Sequence, residues 1–182
     1  MPATKHVKTK ITLVGDKAVG KTSLIRRFVL DQFGDEYLLT LGAKIMKKTL
    51  QVPFLYQDLV IEIDMAIWDI MGQERFRDIV RDAYFPGTSG VIAVVDLTRR
   101  ETLEGIPEWI RAVREVSGPV PTILAVNKKD LANQAAFGAA EIVAVSRDVG
   151  CEVLSTSAKT GENVPEAFER LATLVSTRYL GI

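Results

Sequence analysis

The chain has one cysteine, no net charge and no long apolar run, and each shortage removes a class of protein. Cys151 cannot close an internal disulfide alone, so core burial must hold the fold, as expected in a reducing compartment such as the cytoplasm. Next to the Val153-Leu154 pair, its thiol is expected to be a small buried hydrophobe. Lysine plus arginine and aspartate plus glutamate both number 23, which leaves no global field to draw the chain onto nucleic acid or an anionic membrane. No apolar stretch approaches the roughly 18 residues that span a bilayer, and the start lacks the apolar core of a secretory signal. Pro2 and the ending Tyr179-Leu180-Gly181-Ile182 match neither a myristoylation nor a prenylation motif, so no intrinsic membrane anchor is expected.

What is present suits one water-soluble domain: 182 residues, 47% hydrophobic and 25% charged. The basic run Lys5, His6, Lys8 and Lys10 is expected to be frayed, giving a flexible segment over 1–9 and a domain over 10–182. Apolar runs at Ile11–Val14, Ile61–Trp68, Val91–Asp96, Pro121–Val126 and Glu152–Leu154 alternate with helical spacing at Thr22–Leu30, Thr102–Val116, Ala136–Val149 and Val164–Tyr179. That alternation predicts an α/β fold, a mostly parallel sheet with helices on both faces. Pro107 marks the place around which the second of these helices begins. From Gly42 to Trp68 two extended runs meet around Pro53 without a helix between them, which predicts an antiparallel edge hairpin.

Gly15-Asp16-Lys17-Ala18-Val19-Gly20-Lys21-Thr22 is a complete G-x-x-x-x-G-K-[ST] between a predicted strand and a predicted helix. Its glycines allow a tight turn that brings backbone N–H groups against phosphate oxygens. The helix N-terminus and the Lys21 ammonium add positive charge, and the Thr22 hydroxyl suits Mg²⁺. This motif implies a nucleoside triphosphate without choosing the base, so a kinase, an ATPase and a GTPase all satisfy it.

Asn127-Lys128-Lys129-Asp130 follows an apolar strand, at the strand end where open sheets bind ligands. A carboxylate at Asp130 can accept from the N1–H and exocyclic amine of guanine, whereas adenine would leave it desolvated and unpaired. Thr156-Ser157-Ala158-Lys159 follows the next strand, and the Ala158 N–H is a donor for the guanine oxygen. Together these point to guanine.

Gly15–Ser23, Tyr37–Gly42, Trp68–Phe76, Asn127–Asp130 and Thr156–Lys159 occur in an order that resembles the Ras superfamily of small GTPases, most of all its Rab branch. The resemblance implies a P-loop NTPase G domain with a six-stranded sheet, binding GTP or GDP with Mg²⁺ and hydrolysing GTP slowly. It implies switches at about 35–45 and about 69–83, and effectors, GTPase-activating proteins and exchange factors as partners. Under it Gly15 to Ser23 cradle the phosphates, Tyr37 covers them and Phe33 packs beside the guanine. Thr40 is a second Mg²⁺ ligand, Asp69 holds the ion through water, and the Gly72 N–H meets the γ-phosphate. Gln73 orients the attacking water, Lys21 and Thr40 support catalysis, and Lys128 lies along the base. Asn127 ties the base loop to the phosphate loop, and Ser157, Ala158 and Lys159 complete the base site. Two alternatives remain: a module that holds nucleotide without turnover, and a kinase on the same phosphate loop.

Several positions depart from the resembled pattern. Lys17 stands where a glycine or small polar residue is usual, and is either a phosphate-facing cation or a solvated one. Ile70-Met71 is bulkier than the usual pair. Of the aromatic trio that meets effectors in Rabs only Trp68 remains, with Ile45 and Ala83 at the other places. The hairpin is roughly six residues longer, with Pro53-Phe54-Leu55-Tyr56 as its tip and a candidate self-association surface unless it folds back onto the sheet.

Overall fold

The computed structural model describes residues 3–33, 42–54, 58–70, 72 and 77–181. Its strands are β1 (Ala3–Val14), β2 (Ala43–Phe54), β3 (Leu59–Ile70), β4 (Gly90–Asp96), β5 (Thr122–Asn127) and β6 (Glu152–Ser155). Its helices are α1 (Lys21–Leu30), α2 (Arg77–Tyr84), α3 (Arg100–Glu104), α4 (Ile106–Ser117), α5 (Ala139–Val149) and α6 (Val164–Leu180), with a 3₁₀ turn over Lys129–Gln134. They build a six-stranded sheet in the order β2-β3-β1-β4-β5-β6. Only β2 runs antiparallel, and it occupies the edge.

Side chains alternate across this sheet, so each central strand feeds two cores. Ile92 and Val94 of β4 and Ile123 and Ala125 of β5 face α1 and α6, where Phe28 and Phe168 stack with centroids 4.1 Å apart. Val91, Ala93 and Val95 with Leu124 and Val126 face α4, whose Trp109, Ile110 and Val113 are buried among them. Gly90 lets α6 lie close to the sheet, since a Cβ there would stand 2.8 Å from Val175 Cγ2. Parallel pairing places the carboxyl ends of β3, β1, β4, β5 and β6 side by side at one end of the molecule.

The predicted sheet and hairpin are present, and the differences have local causes. The segment expected to fray is strand: Ala3 to Leu13 pair in parallel with Leu59 to Asp69, and Val7 is buried. The long hairpin supplies that partner, and His6 Nδ1 sits 2.9 Å from Glu62 Oε1 across the ladder. Pro53 and Phe54 belong to β2, opposite Val60 and Leu59, and Phe54 packs against the first core. An edge strand tolerates Pro53 because one side of its ladder is free. Leu55 and Tyr56 lie outside the described residues. The predicted helix over Thr102–Val116 is two helices, with Pro107 in the first turn of α4. α5 starts at Ala139 and not Ala136, since Glu141 Oε2 accepts the Gly138 N–H at 2.6 Å and fixes that start. α2 had no sequence expectation.

Candidate nucleotide site

Residues 15–20 join β1 to α1 through a backbone that only small residues accept easily. Gly15 and Gly20 have φ of 131° and 105°, and a Cβ on either would collide with the Val94 carbonyl or the Asn127 amide. α1 begins with no side-chain cap and no acidic residue in its first turn, so its leading N–H groups and dipole suit an anion. Lys21 is buried and donates to the carbonyls of Gly15 and Asp16 at 2.6 and 2.8 Å. Burial lowers its ammonium to about 8 against the pull of Asp69 and Asp16. Gly72 lies directly on this arrangement, since a Cβ there would meet Lys21 Nζ and the loop backbone. Val19 is buried in the first core, whereas Lys17 and Ala18 are exposed.

The Thr22 hydroxyl donates to Asp69 Oδ2 at 2.5 Å, which brings the start of α1 onto the end of β3. Asp69 is 3% exposed. Ser23 follows on α1, half-buried.

The two base-loop segments are locked to each other and to the phosphate loop by one side chain. Asn127 donates from Nδ2 to the Val19 carbonyl at 2.9 Å, and its Oδ1 accepts from the Ala158 N–H at 3.1 Å and Thr156 Oγ1 at 3.3 Å. The Ser157 hydroxyl donates to Asp130 Oδ1 at 2.6 Å and accepts from the Thr160 N–H, fixing an exposed carboxylate without neutralising it. The Ala158 N–H expected at a guanine oxygen is therefore already engaged, and such an oxygen would share the donor with Asn127. Lys128 has φ of 66° and places its ammonium 2.5 Å from Asp96 Oδ2. Phe33 is 36% exposed, with the Arg27 guanidinium 5.9 Å from its ring centre. Tyr37, Thr40 and Gln73 lie outside the described residues.

Sequence reasoning missed the residues that hold these loops. Arg27 of α1 donates from Nε to the Ala158 carbonyl at 3.0 Å and from an NH₂ to the Lys159 carbonyl at 2.7 Å. Asp96 ends β4 with 1% exposure; burial pushes its carboxyl up, but hydrogen bonds from Lys128, Thr98 and Arg99 overcome this and hold it below the usual range. Arg99 also donates to the Lys17 carbonyl at 2.8 Å, and the Trp109 indole donates to Asp16 Oδ1 at 2.9 Å. Asp96 could have been flagged as a carboxylate ending an otherwise apolar strand. Arg27 and Trp109 carry no such mark, being one basic and one aromatic residue in helical patterns.

A phosphate loop opening a helix, two polar loops at neighbouring strand ends and one antiparallel edge strand define a P-loop nucleotide-binding domain of the G-domain kind. The model of the Ras family matches residues 10–177. Rab-13 of Canis lupus familiaris is 36% identical over 164 residues, covering 90% of this chain and 77% of that protein. RABD2b of Arabidopsis thaliana is 35% identical over 170 residues, covering 93% and 81%, and the GTP-binding protein YPTM1 of Zea mays is 34% identical over 173, covering 94% and 80%. The chain belongs to the Ras family of small GTPases and is Rab-like. It is a small GTP-binding switch whose partners are guanine nucleotide and protein effectors or regulators.

Proposed function

We propose that this chain is a Mg²⁺-dependent switch with slow intrinsic GTP hydrolysis, in which one ion and one γ-phosphate decide the arrangement of residues about 35–45 and about 69–83. The observation that carries this reading is the 2.5 Å approach of Thr22 Oγ1 to Asp69 Oδ2 beside Lys21. A hydroxyl and a carboxylate are hard oxygen donors that suit Mg²⁺, an ion that keeps several waters and takes its other ligands from phosphate. Thr22, with Thr40 and, through water, Asp69, would hold the ion. When bound it would offset phosphate charge.

This chain's residues do the rest. Lys21 gives its proton-bearing ammonium to the terminal phosphates, trading the carbonyls of Gly15 and Asp16 for stronger acceptors. Gly72, whose backbone rests on Lys21, would sense whether a γ-phosphate has entered, and Gln73, next in the sequence, would orient the attacking water. Hydrolysis needs mainly positioning and charge stabilisation, and without an added arginine Ras itself turns over on the order of 10⁻⁴ per second. A partner that accelerates hydrolysis follows from that slowness. The single cysteine supports action in the cytoplasm. Single-turnover phosphate release from GTP tests the reading. Release that stops in EDTA and falls about tenfold or more in Gln73→Leu, with GDP affinity kept, supports it. Release indifferent to both rejects it.

A further inference from the structure

β1 is longer than its neighbour on one side. β4 pairs with it only from Ile11 onward, against Gly90, while the β3 ladder continues back to Ala3. The Ser89 N–H donates to the Lys10 carbonyl at 2.8 Å, so the backbone groups of Lys10 point to the β4 side. Because these groups alternate along a strand, those of Thr4, His6 and Lys8 point the same way, and among the described residues nothing pairs with them. The Ala3 N–H, donating to the Asp58 carbonyl on the other side, fits the same alternation.

This free edge is only partly walled off from solvent. It borders a slot of about 400 Å³, walled by the end of α6 at Arg178 and Tyr179 on one face of the sheet, and by Val120 before β5 on the other. Ser89 closes its end, where an earlier start of β4 would have filled it. Exposed sheet edges are templates for an added strand, and here the unpaired side of β1 faces the slot. His6, Lys8 and Arg178 line the slot and no carboxylate does. Pairing two copies edge to edge would set Lys5 and Lys8 of each against those of the other, a like-charge arrangement that disfavours self-association.

We propose that the β1 edge at Thr4–Lys8 is a docking site for an extended acidic segment of a partner protein, which adds to the sheet as a strand beside β1. The backbone of the partner pairs with Thr4, His6 and Lys8, and carboxylates on one face of its strand meet Lys8, while Arg178, which donates to the Pro119 carbonyl, borders the slot on the α6 side. Some seven residues at about 3.3 Å each separate Lys8 from Gly15, so the site lies roughly 23 Å along β1 from the phosphate loop.

The test uses the GDP-bound protein and two labelled heptapeptides, Val-Glu-Val-Glu-Val-Glu-Thr and its twin with lysine for glutamate, followed by fluorescence anisotropy and by amide shifts of the ¹⁵N-labelled protein. The expected result is saturable binding of the acidic peptide, with the lysine twin at least about tenfold weaker and shifts centred on Thr4, His6 and Lys8. Lys8→Glu should weaken the acidic peptide about tenfold and leave GDP dissociation unchanged. His6→Pro removes one slot-facing N–H while sparing the β3 ladder, and should weaken both peptides; if it does not fold, Lys8→Glu decides. The proposal is overturned if no saturation occurs at millimolar peptide, if both peptides bind Lys8→Glu and the unmodified protein equally, or if sedimentation shows this edge pairing two copies.

Discussion

Lys21 is a cation held in the interior by two carbonyls, and its ammonium near 8 against an ordinary 10.5 states the cost of that position. The unfolded chain holds this proton more tightly than the folded one, so between about pH 8 and 10.5 unfolding takes up a proton and the nucleotide-free protein gains stability as pH rises. Urea unfolding of nucleotide-free protein should show a gain on the order of 2–3 kcal/mol across that window, relative to Lys21→Met, which lacks the group. A bound phosphate reverses the preference, so binding GDP above pH 8 should draw a proton from solution, measurable by calorimetry in buffers of different ionisation enthalpy. Asn127 is the second residue with a large calculable share. Asn127→Ala removes three hydrogen bonds and leaves the Val19 carbonyl and Ala158 N–H buried without it, so urea unfolding should show a loss of about 2–4 kcal/mol and GDP should dissociate faster. Cys151, expected to be buried, is half-buried against the second core, with its thiol pushed up to about 11 by burial.

Among the elements, α1 and α6 hold the site by packing against each other. The stacked Phe28 and Phe168 sit one turn from Leu24 and Leu171, so Phe168→Ala should cost about 3–5 kcal/mol in urea unfolding with little change in nucleotide preference. The apolar periods of these helices and of β4 and β5 made them legible in the sequence, because burial on a fixed face imposes the period. The first strand was legible only from Ile11 onward, since the polar Lys5, His6 and Lys8 before it would equally suit a solvated terminus, and only the partner strand across the ladder distinguishes the two. The helix at Arg77–Tyr84 escaped because its pattern spans barely two turns, too short for a period to show.

At the scale of the molecule, the parallel strand order brings five carboxyl ends together, so that loops distant in sequence converge on one site. The motifs for phosphate and base could be read from residue types because each needs a specific donor or acceptor at a fixed spacing. Much of the scaffold around them could not, since Arg27 and Trp109 act through tertiary contacts that no local pattern encodes. No helix among the described residues is long and apolar enough to cross a membrane.

The account turns on Asp130, an exposed carboxylate steadied by Ser157 at the mouth of the base loops. The most direct test is competition of GDP and ADP for the purified protein and for Asp130→Asn. A site built around such a pair rejects the wrong base by about 10⁴-fold or more, so the unmodified protein should prefer GDP by that factor and Asp130→Asn should lose most of it. Equal affinity for the two nucleotides in the unmodified protein, or an unaltered preference in Asp130→Asn, would contradict it.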